Sequence, residues 1–278
     1  MIWRCRQRLI DLRRPVVMGI LNVTPDSFSD GGRYLESGAA FDRAARLVAE
    51  GAAIIDVGGE STRPCAAPVP SAFEIERVVP VIRRIAASFD VAVSIDTSKV
   101  DVMAAAVEAG ACIVNDVRAL GAGGAPAWAA DAGVGVCLMH MRGDPRTMQQ
   151  APRYDDVTAE VAAFLDDRLR ACVAAGMAAD SIVLDPGIGF GKSLAHNLTL
   201  LRQLPALCAL GSPVLVGVSR KSLIGRVLGR EPADRVYGGI GLAAQAVAAG
   251  AKIVRTHDVA ATLDAVRLVD AVMQGTEE

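Results

Sequence analysis

Apolar runs along the 278-residue chain end repeatedly on residues able to bind charge or move protons: Asn22, the 56–60 stretch from Asp56 to Glu60, Asp96, Asn115, Met139-His140, Asp185, Ser219 to Lys221 and Arg255 to His257. Such groups do not belong in an apolar interior unless they are paired. Gathered at one end of a set of strands, Asp96, Asn115 and Asp185 could read the donor and acceptor edge of a nitrogen heterocycle. They could equally bind a divalent cation or act as acid and base. Ser219-Arg220-Lys221-Ser222 adds two cations and two hydroxyls. Arg255-Thr256-His257 adds two more groups, and strand alternation places Arg255 and His257 on one side. The bland alternative is helix capping, with Asp96-Thr97-Ser98-Lys99 ahead of a helix. One cap would be unremarkable; three acids or amides at strand ends favour a site.

The elements that must position these residues follow from the apolar pattern. Strands are expected over 16–21, 53–57, 91–95, 112–115, 135–139, 182–184, 214–217 and 253–255. Several are unbroken apolar runs, as parallel strands covered on both faces require. Helices are expected over 38–50, 71–89, 99–109, 125–132, 157–175, 194–207, 239–249 and 259–273, with a short extra one over 221–228. In the last, Leu263, Val266, Val269 and Met273 recur at helical spacing. Gly51, Gly110, Gly133, Gly176 and Gly250 suit left-handed helix ends. The long connections, 22–37, 58–70, 141–156 and 219–238, all follow strands. The pattern predicts a (β/α)8 barrel, one domain over 16–278 after an N-terminal extension over 1–15, with its active site at the C-terminal ends of the strands.

Composition agrees. Hydrophobic residues make up 52% and aromatics only 4%, which suits an aliphatic barrel interior. A formal net charge of -2 offers no basic face for nucleic acid, though a local Arg and Lys cluster would still hold an anion. The cysteines at 5, 65, 112, 137, 172 and 208 form no CxxC pair, and Cys112 and Cys137 sit beside or inside apolar runs. That pattern implies reduced thiols and a cytoplasmic protein without zinc. The N-terminal MIWRCRQRLIDLRR is too charged for a signal peptide, and no run suits a membrane span.

Three loops carry further chemistry. The first, Asn22 to Gly32, is dense in oxygen side chains that suit a phosphate or a metal, with Phe28 as an aromatic contact. The second, Gly58 to Pro64, presents Arg63 between Gly and Pro, where it could close over an anion. The third, Asp185-Pro186-Gly187-Ile188-Gly189-Phe190-Gly191-Lys192-Ser193, looks like a nucleotide phosphate loop but fails the pattern, because Pro186 stands at the required first glycine. The dinucleotide pattern fails too, since Lys192 stands at its last glycine. Loops after the seventh and eighth strands of such barrels often hold phosphate. His140 ends a strand without a clear task, and His196 reads as a structural residue at a helix start.

Together Gly19 to Gly32, Gly59 to Pro64, Asp185 to Lys192, Ser219 to Lys221 and Arg255 to His257 closely resemble the dihydropteroate synthase family, over roughly 16–269. The resemblance implies a (β/α)8 barrel, usually dimeric and Mg²⁺-dependent. It implies condensation of 6-hydroxymethyl-7,8-dihydropterin diphosphate with 4-aminobenzoate, blocked by sulfonamides. It assigns Asn22 to Mg²⁺, and Asp96, Asn115, Asp185 and Lys221 to the pterin. Thr62, Arg255 and His257 go to the diphosphate, and Phe28, Arg63, Pro64, Phe190 and Ser222 to the 4-aminobenzoate side. Asp96, Asp185 and Lys221 are the residues implied closest to the chemistry. Cys65 departs from the family, which has glycine after its Ser-Thr-Arg-Pro, and cysteine restricts backbone angles that glycine allows. Rival readings are a methyltetrahydrofolate corrinoid methyltransferase-like enzyme, a Schiff-base aldolase using Lys221 or Lys252, and a non-catalytic pterin-binding paralogue.

Overall fold

A computed structural model describes residues 1–24, 33–61, 67–145 and 147–275, with backbone alone at 33–37. The chain opens with an antiparallel hairpin, β1 (Ile2–Cys5) and β2 (Arg8–Asp11). Eight parallel strands follow: β3 (Val16–Asn22), β4 (Ile54–Gly58), β5 (Ala92–Asp96), β6 (Ile113–Asp116), β7 (Gly135–Met139), β8 (Ile182–Asp185), β9 (Leu215–Gly217) and β10 (Ile253–Thr256). They pair in the order β8-β7-β6-β5-β4-β3-β10-β9, and a parallel bridge from Leu184 to Val214 closes the ring. Around them lie α1 (Arg33–Ala49), α2 (Ser71–Ser88), α3 (Val100–Glu108), α4 (Ala125–Ala132), α5 (Val157–Ala174), α6 (Leu194–Arg202), α7 (Leu204–Cys208), α8 (Ser222–Leu228), α9 (Val236–Ala248) and α10 (Val259–Gln274). This is the (β/α)8 barrel that the sequence predicts.

The differences from the expected spans have local causes. Strands β3, β5 and β8 run on through Asn22, Asp96 and Asp185, because ladder hydrogen bonds do not depend on the side chain. The helix expected over 194–207 divides at Gln203, since Pro205 cannot donate to the preceding turn. Helix α9 begins at Val236, not 239, despite Gly238 and Gly239. A Cβ on Gly238 would meet Ile224 Cγ2 at 2.5 Å, so close packing on α8 outweighs the poor helix propensity of glycine.

Strand alternation stacks layers inside the barrel. The lower layer is apolar and contains Met18, Ile54, Ala92, Ile113, Cys137, Val183, Leu215 and Ile253. Two residues further on, the same strands present Asp56, Ser94, Asn115, Asp185 and Arg255. The hairpin, which the sequence analysis does not foresee, seals the lower layer from below. Trp3, Cys5 and Leu12 are fully buried there, and Trp3 Nε1 donates to the Ser181 carbonyl at 2.9 Å. The fit is tight: a Cβ on Gly135 would stand 2.4 Å from Cys5 Sγ. Trp3→Ala is therefore expected to lower stability by about 3–5 kcal/mol through cavity formation. Urea unfolding showing a loss well below that range would mean that the barrel floor does not depend on this ring.

Candidate active site

The polar layer is organised around Arg255. Its Nε donates to Asp56 Oδ2 at 2.6 Å and its Nη2 to Asp96 Oδ2 at 2.7 Å. Asn115 Nδ2 donates to Asp56 Oδ2 at 3.0 Å. Register explains the meeting: Asp96 pairs with Asn115 across β5 and β6, and Asp56 lies one strand away on β4. Asp56 is fully buried and the Asp96 side chain is 11% exposed, so both carboxylates depend on this one guanidinium. Asp56 Oδ1 and Asp96 Oδ1 remain buried without a partner among the described residues. Buried orphan acceptors are costly, and these two call for donors that the described residues do not supply. Burial pushes Asp96 above the usual carboxylate range, opposed by Arg255 and reinforced by Asp56 and Asp116.

Asp185 approaches from the opposite wall. Its Oδ1 accepts from Gly187 N at 2.7 Å. Burial raises it, while Lys221 and that N–H pull it down. Below the layer, burial raises the Cys137 thiol, and Asp185, Asp56 and Asp96 raise it further. Lys221 completes the ring by donating to the Ile188 carbonyl, with Nζ 4.8 Å from the Phe190 ring centroid. Burial lowers Lys221 to about 8; Asp185 resists and Arg255 assists. Arg220, expected beside it, is turned away. Its backbone is left-handed (φ 57) and its guanidinium pairs with Asp258 at 2.5 Å. Lys252 precedes β10 at the opposite end of the barrel, which removes it as an amine for this mouth.

The glycine loop between β8 and α6 is pressed against the end of β7. At Gly187 (φ 66) a Cβ would meet the His140 carbonyl oxygen at 1.9 Å, and at Gly191 (φ 60) the Arg142 carbonyl at 2.3 Å. Only glycine fits these two places. Lys192 does not reach out as a phosphate-loop lysine would. It is 2% exposed and turned beneath the loop. Ser193 and His196 form a capping box at the start of α6, which gives His196 its structural role.

At the rim, Asn22 Oδ1 and Asp96 Oδ2 both lie 3.8 Å from where a Cβ on Gly58 would stand, so the bare glycine opens space between them. Ser219 Oγ accepts from His257 N at 3.2 Å and lies 3.0 Å from His257 Nδ1. Asn22 and His257 border a cleft of about 610 Å³ that also takes in Arg43, Arg46 and Arg220. A larger cleft of about 860 Å³ lies at the opposite, N-terminal end of the strands beside Arg14, Gly51 and Arg267, away from this chemistry. Ser222 is exposed at the start of α8. Phe28, Thr62, Arg63, Pro64 and Cys65 lie outside the described residues.

The capping alternative fails, and the place of Asp56 becomes clear. Asp96 caps no helix: α3 starts after Lys99 with no side-chain cap, and the carboxylate is committed to Arg255. Asp56, which the sequence marks only as part of the 56–60 stretch and without a role, is a fully buried member of the site. Alternation could have revealed it, since Asp56 follows inward-facing Ile54 as Arg255 follows Ile253. Glu60 does support that loop's base: it accepts from Val69 N at 3.0 Å and from Lys99 Nζ at 2.6 Å, while Lys99 also pairs with buried Glu74 at 2.6 Å.

Known proteins share this sequence and architecture. The profile of the pterin binding enzyme family matches residues 18–257. The dihydropteroate synthase of Escherichia coli K12 is 49% identical over 268 residues, covering 96% of this chain and 95% of its own length. The dihydropteroate synthase of Xanthomonas albilineans, solved with 4-aminobenzoic acid, superposes with a TM-score of 0.93 at 50% identity, covering 99% of this chain and 98% of its own. That of Yersinia pestis, solved as a sulfonamide drug complex, gives 0.94 at 48% identity, covering 99% and 100%. With identity of this order over nearly the whole length, and a barrel mouth built as described, the chain belongs to the dihydropteroate synthase family.

Proposed function

We propose that this chain condenses 6-hydroxymethyl-7,8-dihydropterin diphosphate with 4-aminobenzoate, giving 7,8-dihydropteroate and diphosphate. The observation that carries the reading is the polar layer at the barrel mouth: Arg255 joins Asp56 and Asp96, Asn115 bonds Asp56, Lys221 Nζ and Arg255 Cβ both lie 3.8 Å from where a Cβ on Gly217 would stand, and Asp96 Oδ1 lacks a donor among the described residues. A pterin ring edge offers alternating N–H donors and acceptors that suit such a set. The carbon–oxygen bond to the diphosphate breaks and its electron pair leaves with the diphosphate oxygen. The arylamine lone pair then forms the carbon–nitrogen bond, and the nitrogen releases a proton. The pterin-stabilised cation between these events is favoured by carboxylates fixed in a dry site, Asp96 foremost. No activated nucleophile is needed.

Asn22 and His257 suit the leaving diphosphate, beside a rim lined with Arg43, Arg46 and Arg220. Among the described residues no cluster of three His, Cys, Asp or Glu could hold a metal unaided. Asn22 Oδ1, at the rim beside the space left by Gly58, suits Mg²⁺ held together with substrate phosphate oxygens and water, because Mg²⁺ usually takes few protein ligands. Bound there, Mg²⁺ would neutralise charge building on the diphosphate. Arg255 serves two purposes, holding Asp56 and Asp96 while facing the same charge. Phe190 and Ser222, with Phe28, Thr62, Arg63 and Pro64, fit the 4-aminobenzoate and diphosphate sides, where sulfonamides would compete with 4-aminobenzoate. A homodimer and a cytoplasmic location complete the reading; no helix among the described residues is long and apolar enough to cross a membrane. Purified protein given Mg²⁺ and both substrates should release diphosphate and dihydropteroate together. Absence of both products above background sinks the reading.

A further inference from the structure

The reaction as derived uses neither Lys192 nor His140, yet these two residues are joined. Lys192 Nζ lies 2.9 Å from His140 Nδ1, 3.0 Å from each of the Gly187 and Phe190 carbonyl oxygens, and 3.3 Å from the His140 carbonyl. The carbonyls turn inward because Gly187, Gly189 and Gly191 all hold positive φ. Converging carbonyl oxygens repel one another unless a donor sits among them, and an ammonium carries three protons and no lone pair. With Lys192 as the ammonium, His140 Nδ1 accepts, which places the ring proton on Nε2. Burial, then Lys192 and Arg142, hold the imidazole at about 3, so the ring is neutral. The sequence Gly191-Lys192-Ser193 looks like a site for an external phosphate. In the fold its cation serves the loop itself.

Two of the three carbonyls gripped by Lys192, those of Gly187 and Phe190, flank Ile188 and Gly189. The Ile188 carbonyl accepts from Lys221 Nζ, and a Cβ on Gly189 would touch Lys221 Cδ at 3.3 Å. The loop's shape and the place of Lys221 are thus set together. We infer that Lys192 is a positioning residue for the reaction: seated under the glycine loop, with His140 completing its shell, it holds the Ile188 carbonyl where Lys221 can use it. The inference rests on the reading that Lys221 serves the pterin diphosphate.

A double-mutant cycle on the purified full-length enzyme tests it, because a residue that acts through Lys221 loses its effect once Lys221 is gone. Lys192→Met is expected to lower kcat/KM for pterin diphosphate about 20-fold in the wild-type background and less than about 3-fold in Lys221→Met, as coupled sites require. Equal losses in the two backgrounds would overturn the inference, since a purely structural role acts regardless of Lys221. His140→Phe keeps the ring volume and the three carbonyl acceptors, so it serves where Lys192→Met fails to fold. Its expected loss is about 5-fold, vanishing likewise in Lys221→Met. Wild-type rates from His140→Phe would also overturn the inference. An inactive wild-type protein would instead refute the proposed reaction.

Discussion

Arg255→Met is expected to lower kcat/KM about 10³-fold, near the upper range for losing one preorganised charge contact. The same change should destabilise the fold by about 3–5 kcal/mol at neutral pH, because it strands buried carboxylates. Arg255 is the cation bonded to both Asp56 and Asp96, and each already has one oxygen without a partner among the described residues. The sign of the pH dependence follows. Arg255 is the main influence pulling Asp96 down against burial, so its removal sends that carboxyl higher still. A carboxyl whose native pKa exceeds its unfolded value weakens the fold as pH rises toward the native value. The deficit against wild type should thus be small near pH 5 and widen toward about pH 8. Urea unfolding at the two pH values, with steady-state rates beside it, gives the comparison. A pH-independent deficit would mean that the carboxylates stay hydrated without their arginine.

How much of this was legible beforehand depends on what signal each residue leaves. Unbroken apolar runs that stop on polar residues, with helical segments between them, are a strong signal, so the barrel and its polar strand ends are readable. Asp96, Asn115 and Asp185 were found because each interrupts an apolar run at its end. Asp56 stands among the strand-end residues in the sequence but receives no task there, because Val57 and Gly58 continue the run past it and make an inward carboxylate look like the approach to a loop. The hairpin was invisible for a different reason. Trp3 and Cys5 look like isolated apolar residues among arginines until the floor of the barrel gives them something to seal.

The buried lysines show where pattern reading fails in kind. Lys192 carries the local signature of an anion loop, and only the third dimension shows that its acceptors are the carbonyls of the same loop. Arg220 stands next to Lys221 in sequence, yet a left-handed backbone sends it to Asp258. Proximity along the chain would predict one cluster of cations. The fold separates them into a cation for the pocket, a cation for the loop and a cation for the rim.

For the pocket cation, Lys221→Met is expected to reduce kcat/KM by about 10²-fold, the usual scale for a lost charged contact in a water-poor site. The charge itself should be visible in the wild-type pH profile. Burial and Arg255 bring Lys221 down to about 8, so the ammonium is lost as pH rises through that value. The kcat/KM profile reports groups of the free enzyme, and it should fall on that alkaline side. Lys221→Arg retains a cation that does not deprotonate in proteins, so the limb should disappear even where the absolute rate is reduced by the different shape of the guanidinium. Lys192 also has a lowered value, about 7, but it is unaltered in Lys221→Arg; a limb that persists there belongs to Lys192 or another group. A wild-type profile that stays level through the range would show that Lys221 contributes a hydrogen bond without its charge, and the electrostatic role given to it in the pterin pocket would have to be abandoned.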